Sequence, residues 1–121
     1  MKFMMTMIET MDDFAKRDDP TQAPAYWAAW MAYSKAIEEL GVLHDAAGLQ
    51  PPSTAATIRL ADDKRHVQDG PFADSKEQLG GYFVVDVADL DAALELAARA
   101  PCASTGGVEV RPLLPPQEPS D

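Results

Sequence analysis

Lys2-Phe3-Met4-Met5-Thr6-Met7-Ile8 opens the chain with seven residues whose two alternating sides are both largely apolar. Successive side chains of a strand point to opposite faces of a sheet. Phe3, Met5 and Met7 therefore share one face, and Met4, Thr6 and Ile8 share the other. A strand apolar on both sides is one that is covered on both sides. The rest of the chain has to be read for what supplies those two covers.

The polar stretch from Glu9 to Ala23 contains Asp12, Asp13, Asp18, Asp19 and Pro20 and reads as a loop or short irregular helix. Pro24 opens a helix predicted over about Ala25 to Leu40, where Tyr26, Trp30, Tyr33, Ile37 and Leu40 recur at helical spacing and make one apolar face. Gly41 is its C-cap. Strands are predicted over Val42–Leu49, stopped by Pro51-Pro52, and over Thr54–Leu60. The second of these forms a hairpin with Arg65–Gln68 through the polar turn Ala61-Asp62-Asp63-Lys64. Asp69-Gly70-Pro71-Phe72 is a further turn, and Gly80-Gly81 leads into a strand over Tyr82–Val87. Asp89 caps a helix over Leu90–Ala100 with Leu90, Ala93, Leu94 and Ala97 as its buried stripe. The last strand is Val108–Leu113. Residues 1–114 form one domain, and 115–121 reads as a disordered tail.

Strand, helix, strand, hairpin, strand, helix, strand predicts an α+β fold. Its plan is the ferredoxin-like split βαβ, with an antiparallel sheet and both helices on one face. Two alanine-rich helices cover one side of the first strand but not both. A second copy packed sheet against sheet about a two-fold axis supplies the other cover and makes a dimeric α+β barrel. The alternative is a monomer with a loop folded over the open face.

The 121 residues carry 46% hydrophobic and 25% charged side chains, ordinary for a globular chain that folds without disulfide or metal. Twenty acidic against ten basic residues give a net charge of −10, which repels nucleic-acid backbones and anionic lipid. No apolar run reaches the roughly 18 residues of a membrane span, and the N-terminus lacks the marks of a secretory signal. The single cysteine, Cys102, fits a reducing cytoplasm. No cofactor or metal signature is present.

From Gly41 onward the residues become specific. Gly41-Val42-Leu43, Gly48-Leu49-Gln50-Pro51-Pro52 and the run Asp69-Gly70-Pro71-Phe72-Ala73-Asp74-Ser75-Lys76-Glu77-Gln78-Leu79-Gly80-Gly81 resemble the DGPF branch of the YCII-related family. Asp86-Val87, Asp89-Leu90-Asp91-Ala92-Ala93 and Val108-Glu109-Val110-Arg111-Pro112 extend the likeness. The opening Met1-Lys2-Phe3-Met4-Met5 and Tyr33 are similar too, so the resemblance covers about nine-tenths of the chain. It implies a dimeric α+β barrel. It also implies a small-molecule enzyme using a histidine–aspartate pair, as some members look to be, or a regulatory protein associated with a sigma factor. Two positions depart from the pattern. The first helix holds Tyr26, Trp27 and Trp30 where the wider family tends to place a histidine, and Ala47 stands where many relatives have a glutamate.

Asp69 is the first candidate for chemistry. It reads either as a turn former whose carboxylate takes a backbone N–H, with Phe72 anchoring the turn in the core, or as a general base at the mouth of a cavity. His44 is the second, as a dyad partner of Asp69 or Glu9 if it faces the cavity, and otherwise as an exposed polar residue. Expected pocket residues are Glu9, Trp30, Tyr33, Phe72, Lys76 and Tyr82. His66 is expected on the surface, and Glu109 with Arg111 as a structural ion pair. With these residues the chain is expected to bind or transform a small molecule by proton transfer, elimination or isomerisation, without a cofactor. The competing expectation is a non-catalytic regulatory partner.

Overall fold

The computed structural model describes residues 1–73 and 75–116. The chain forms β1 (Lys2–Thr10), α1 (Met11–Lys16), α2 (Ala23–Glu39), β2 (Leu43–Gly48), β3 (Ala56–Ala61), β4 (Lys64–Asp69), β5 (Glu77–Asp86), α3 (Leu90–Ala98) and β6 (Gly107–Pro112). Four strands make an antiparallel sheet in the order β2-β5-β1-β6, and β3-β4 form a separate two-stranded ribbon. Strands β1 and β2 run parallel with β5 between them, the arrangement of a ferredoxin-like split βαβ fold. The ribbon is an insertion between the second and third strands of that plan.

The alternation of β1 decides the layers. Phe3, Met5 and Met7 are buried, while Met4, Thr6 and Ile8 are only half-buried. The buried face meets Tyr33 and Ile37 of α2, Phe83 and Val85 of β5, and Ala93, Leu96 and Ala97 of α3. Both β1 and β5 extend beyond their predicted ends. Glu9 pairs with Gln78 and Thr10 with Glu77, so each strand supplies the partners that lengthen the other.

Local chemistry sets the helix ends. Asp19 accepts hydrogen bonds from the Thr21 N–H and the Gln22 amide and turns the chain into α2, where proline occupies the first turn. Gly41, at φ +74°, ends α2 in the left-handed conformation, and its N–H reaches the Glu38 carbonyl at 3.0 Å. Leu40, expected on the apolar face, is exposed beyond the last turn. In α3 the Asp89 carboxylate caps the Ala92 N–H at 2.9 Å as expected. Leu90 and Leu94 are nevertheless exposed, and the buried face is Ala93, Leu96 and Ala97. That helix is apolar almost all round, so spacing alone left its rotation undecided.

The second face of the sheet stays half open in the single chain. A groove of about 350 Å³ runs across it, lined by Met4, Thr6, Ile8, Leu79 and the β6 side chains Glu109 and Arg111. The latter two form the expected surface ion pair. Pro115 and Pro116 belong to no element, and the rest of the expected tail lies outside the described residues. Among the described residues no helix is long and apolar enough to cross a membrane.

Candidate functional site

Glu9 continues the inward series Phe3, Met5, Met7 by the two-residue period of a strand, and is 1% exposed. The strand that buries three apolar side chains therefore also buries a carboxylate. Strand β5 makes room for it. Register slips between the pairs Met7–Gly81 and Ile8–Leu79, which leaves Gly80 as a bulged residue. A Cβ on Gly80 would stand 1.9 Å from Glu9 Oε2, so only glycine leaves the carboxylate its place.

Helix α1 positions the partner. Thr10 caps it by accepting the Asp13 N–H at 3.1 Å, and after six helical residues the chain ends the helix at Arg17. Arg17 Nη2 donates to Glu9 Oε2 at 2.8 Å and to the Gly80 carbonyl at 3.5 Å. Its Nε donates to the Tyr26 hydroxyl at 3.0 Å and its Nη1 to the Leu49 carbonyl at 2.5 Å. Tyr26 in turn donates its O–H to Glu9 Oε1. The rings of Phe14, Tyr26 and Trp27 enclose the guanidinium, with centroids 4.8, 5.6 and 5.2 Å from its carbon. Burial, reinforced by the Glu9 hydrogen bond, pushes the Tyr26 hydroxyl up to about 12 and keeps it a neutral donor.

Two clefts meet at this cluster, both bordered by Glu9, Tyr26 and Trp30. One, of about 460 Å³, lies between α2 and the β2–β5 side of the sheet, with Trp27, Met31 and Phe83 among its walls. The other, of about 390 Å³, opens toward Asp13, Lys16, Cys102 and Thr105. There the Asp13 carboxylate accepts from Thr105 Oγ1 at 2.5 Å and from Lys16 Nζ at 3.1 Å. Burial works to raise the Asp13 carboxyl, but the Thr105 and Lys16 hydrogen bonds outweigh it and hold the group below the usual carboxylate range. Burial and then the Glu9 charge push the Cys102 thiol up to about 11, which makes it a poor nucleophile. Among the described residues no three His, Cys, Asp or Glu side chains converge to hold a metal ion.

Of the residues singled out from the sequence, the fold brings Glu9 and Trp30 to the clefts. Tyr33 is buried beside them and donates its hydroxyl to the Leu96 carbonyl at 2.8 Å. Tyr82 gives its hydroxyl to Asp45 Oδ2 at 3.1 Å, away from both clefts. His44 is exposed at the irregularity between Leu43 and Asp45 in the β2–β5 pairing. Lys76 is exposed, and its carbonyl takes the Met11 N–H at 3.2 Å. His66 is exposed on β4.

Asp69 ends the ribbon, exposed and bordering none of these clefts. Gly70 supplies the expected unusual dihedral at φ +100°, and its N–H reaches the Ala55 carbonyl at 2.7 Å. Phe72 does not anchor the turn in the core: it is 73% exposed and lies against the Arg59 guanidinium at 4.3 Å. The ribbon is a sheet of its own and contributes no residue to the core cluster among the described residues. The Asp69 carboxylate, expected to take a backbone N–H, accepts no hydrogen bond among the described residues.

Arg17 and the polar role of Tyr26 escaped the sequence. Arg17 lies in the stretch that reads as a loop or short irregular helix, and Tyr26 reads as part of an apolar face at a place where the wider family tends to have a histidine. Glu9 did carry a signal, as a carboxylate in phase with three buried side chains and facing a Gly-Gly pair.

The family model of the YCII-related domain matches residues 1–117. This chain belongs to the YCII-related family. The YCII-related chain is also similar to an uncharacterized protein of Rhizobium meliloti (strain 1021), 45% identical over 84 residues that make up 68% of each chain. The matched region takes in Glu9, Arg17, Tyr26 and Gly80. Ala47, which the resemblance would make a glutamate, lines the larger cleft and leaves that wall apolar.

Proposed function

We propose that this YCII-related chain binds a small molecule in the cleft between α2 and the β2–β5 side of the sheet. The observation that carries the reading is Glu9, fully buried yet bordering that cleft and held by Arg17 and Tyr26. A buried ion pair is a poor stability device, since apolar residues of the same volume commonly serve as well. Polar groups converging at the end of an apolar, aromatic-walled cleft are what ligand sites have in common. If the bound compound reacts, a proton transfer, elimination or isomerisation without cofactor fits the groups available, with Glu9 as the acceptor.

Catalytic roles for Asp69 and His44 belong to a dimeric form of this proposal. Ile58, Leu60, Val67 and Phe72 are exposed on or beside the ribbon, and the second sheet face is half open. A second copy packed on these surfaces would cover them and bring new neighbours to Asp69 and His44. The same exposed ribbon favours the competing reading, docking of another protein such as a sigma factor.

Screening small aromatic and polar compounds by NMR tests the proposal. Binding is expected to shift the backbone amides around Tyr26–Met31 and Ala46–Gly48 and to weaken in Trp27→Ala. A folded protein that binds none of them, but forms a stable complex through the ribbon, would overturn it in favour of the competing reading. Sedimentation of the free chain separates dimer from monomer.

A further inference from the structure

Resting on that reading, we propose that the cleft's ligand is a planar aromatic compound bearing an amine, taken in preference to an aromatic acid. The helix side is aromatic: Trp27 and Trp30 of α2 border the cleft, and Trp30 lies nearly parallel to Phe83 of β5 at 14° with centroids 6.5 Å apart. The facing wall is Ala46, Ala47, Gly48 and Gly81, small residues that leave a flat surface of backbone and methyl groups. A slot between a ring-lined helix and a flat strand edge accepts a flat ligand.

The polar end decides its charge. Arg17 is the obvious anion receptor, but four of its five N–H donors go to Glu9, Tyr26, Leu49 and Gly80, three rings enclose its guanidinium, and Lys35, the other cation bordering the cleft, is matched there by Glu38. The Tyr26 hydroxyl already donates to Glu9 and accepts from Arg17. Each Glu9 oxygen takes one of these bonds, and a carboxylate oxygen accepts two. The Glu9 carboxylate therefore keeps two acceptor sites, against a single N–H left on the ring-enclosed Arg17. Ring faces attract cations, and a chain of net charge −10 concentrates them.

Three probes sharing one ring decide the matter: tryptamine, indole and indole-3-acetate, titrated by calorimetry and followed by NMR at neutral pH. Tryptamine is expected to bind about tenfold tighter than indole-3-acetate, with indole between them. Ala47→Lys, on an exposed strand position that leaves the Glu9–Arg17 pair untouched, is expected to erase or invert that order. Trp27→Ala should weaken all three probes while keeping their order. Equal or tighter binding of the acid, with shifts in the cleft, would overturn the ligand class and leave the cleft standing. No binding of any probe to the folded protein would overturn the cleft reading with it. An amine preference unchanged in Ala47→Lys would also sink the assignment, because the recognising group would then lie elsewhere.

Discussion

The Glu9 cluster and the Asp69-Gly70-Pro71-Phe72 turn are opposites in how they are built. Glu9 is buried, and each of its carboxylate oxygens is claimed by a side chain from a different element. Asp69 and Phe72 sit exposed at the end of a two-stranded ribbon, with the Phe72 ring against the Arg59 guanidinium. The turn is conspicuous in the sequence because its four residues are contiguous and its backbone demands glycine. The cluster is inconspicuous because Glu9, Arg17, Tyr26 and Gly80 are scattered and meet only after the sheet and two helices have formed. A short motif here marks a local backbone requirement, whereas the chemistry gathers where distant segments converge.

Substitutions should separate the two regions sharply. Arg17→Ala leaves Glu9 as an unpaired buried charge and is expected to cost about 3–5 kcal/mol in urea unfolding. Replacing the pair together, as Glu9→Leu with Arg17→Met, should recover most of that loss. If the single variant is as stable as the wild type, the contrast between the regions collapses. Gly80→Ala comes next, at about 1–3 kcal/mol, because its Cβ must displace the Glu9 carboxylate.

The alkaline limb adds a subtler test. Burial raises Tyr26 and Tyr33 to about 12, above the unfolded value near 10. Their contribution is fully present below about pH 10 and is lost as pH rises through about 12. Ultraviolet titration of the folded chain should show both phenols ionising late, and Glu9→Gln should bring Tyr26 forward but not Tyr33. At the other end, Asp13, held low by Thr105 and Lys16, contributes stability at neutral pH that is lost as pH falls through its folded value. The smallest effect belongs to the turn: Asp69→Ala should change chain stability by no more than about 0.5 kcal/mol. Phe72→Ala should cost about as little, apart from a weak cation–π contact with Arg59. A larger loss that depends on protein concentration would reveal a second copy resting on the ribbon.

Much of the fold was legible in the residues themselves. The two-residue alternation of Phe3, Met5 and Met7, the helical recurrence of Trp30, Tyr33 and Ile37, the caps at Gly41 and Asp89 and the hairpin turn at Asp62-Asp63 are all local. Local sterics and hydrogen bonding fix such features whatever surrounds them. The rotation of α3 was not legible, because a helix apolar on nearly every side has no preferred face until it meets one.

The sequence by itself determined the order of the strands and of the two helices packed on the sheet, the antiparallel ferredoxin-like plan and the family. Tertiary structure alone decided that Phe72 lies outside the core and that Arg17 closes over Glu9. The physical reason is range. Periodicity and capping act over a few residues, but a buried charge finds its partner only after folding removes water from around it, and which groups then face it depends on register and packing across the whole sheet.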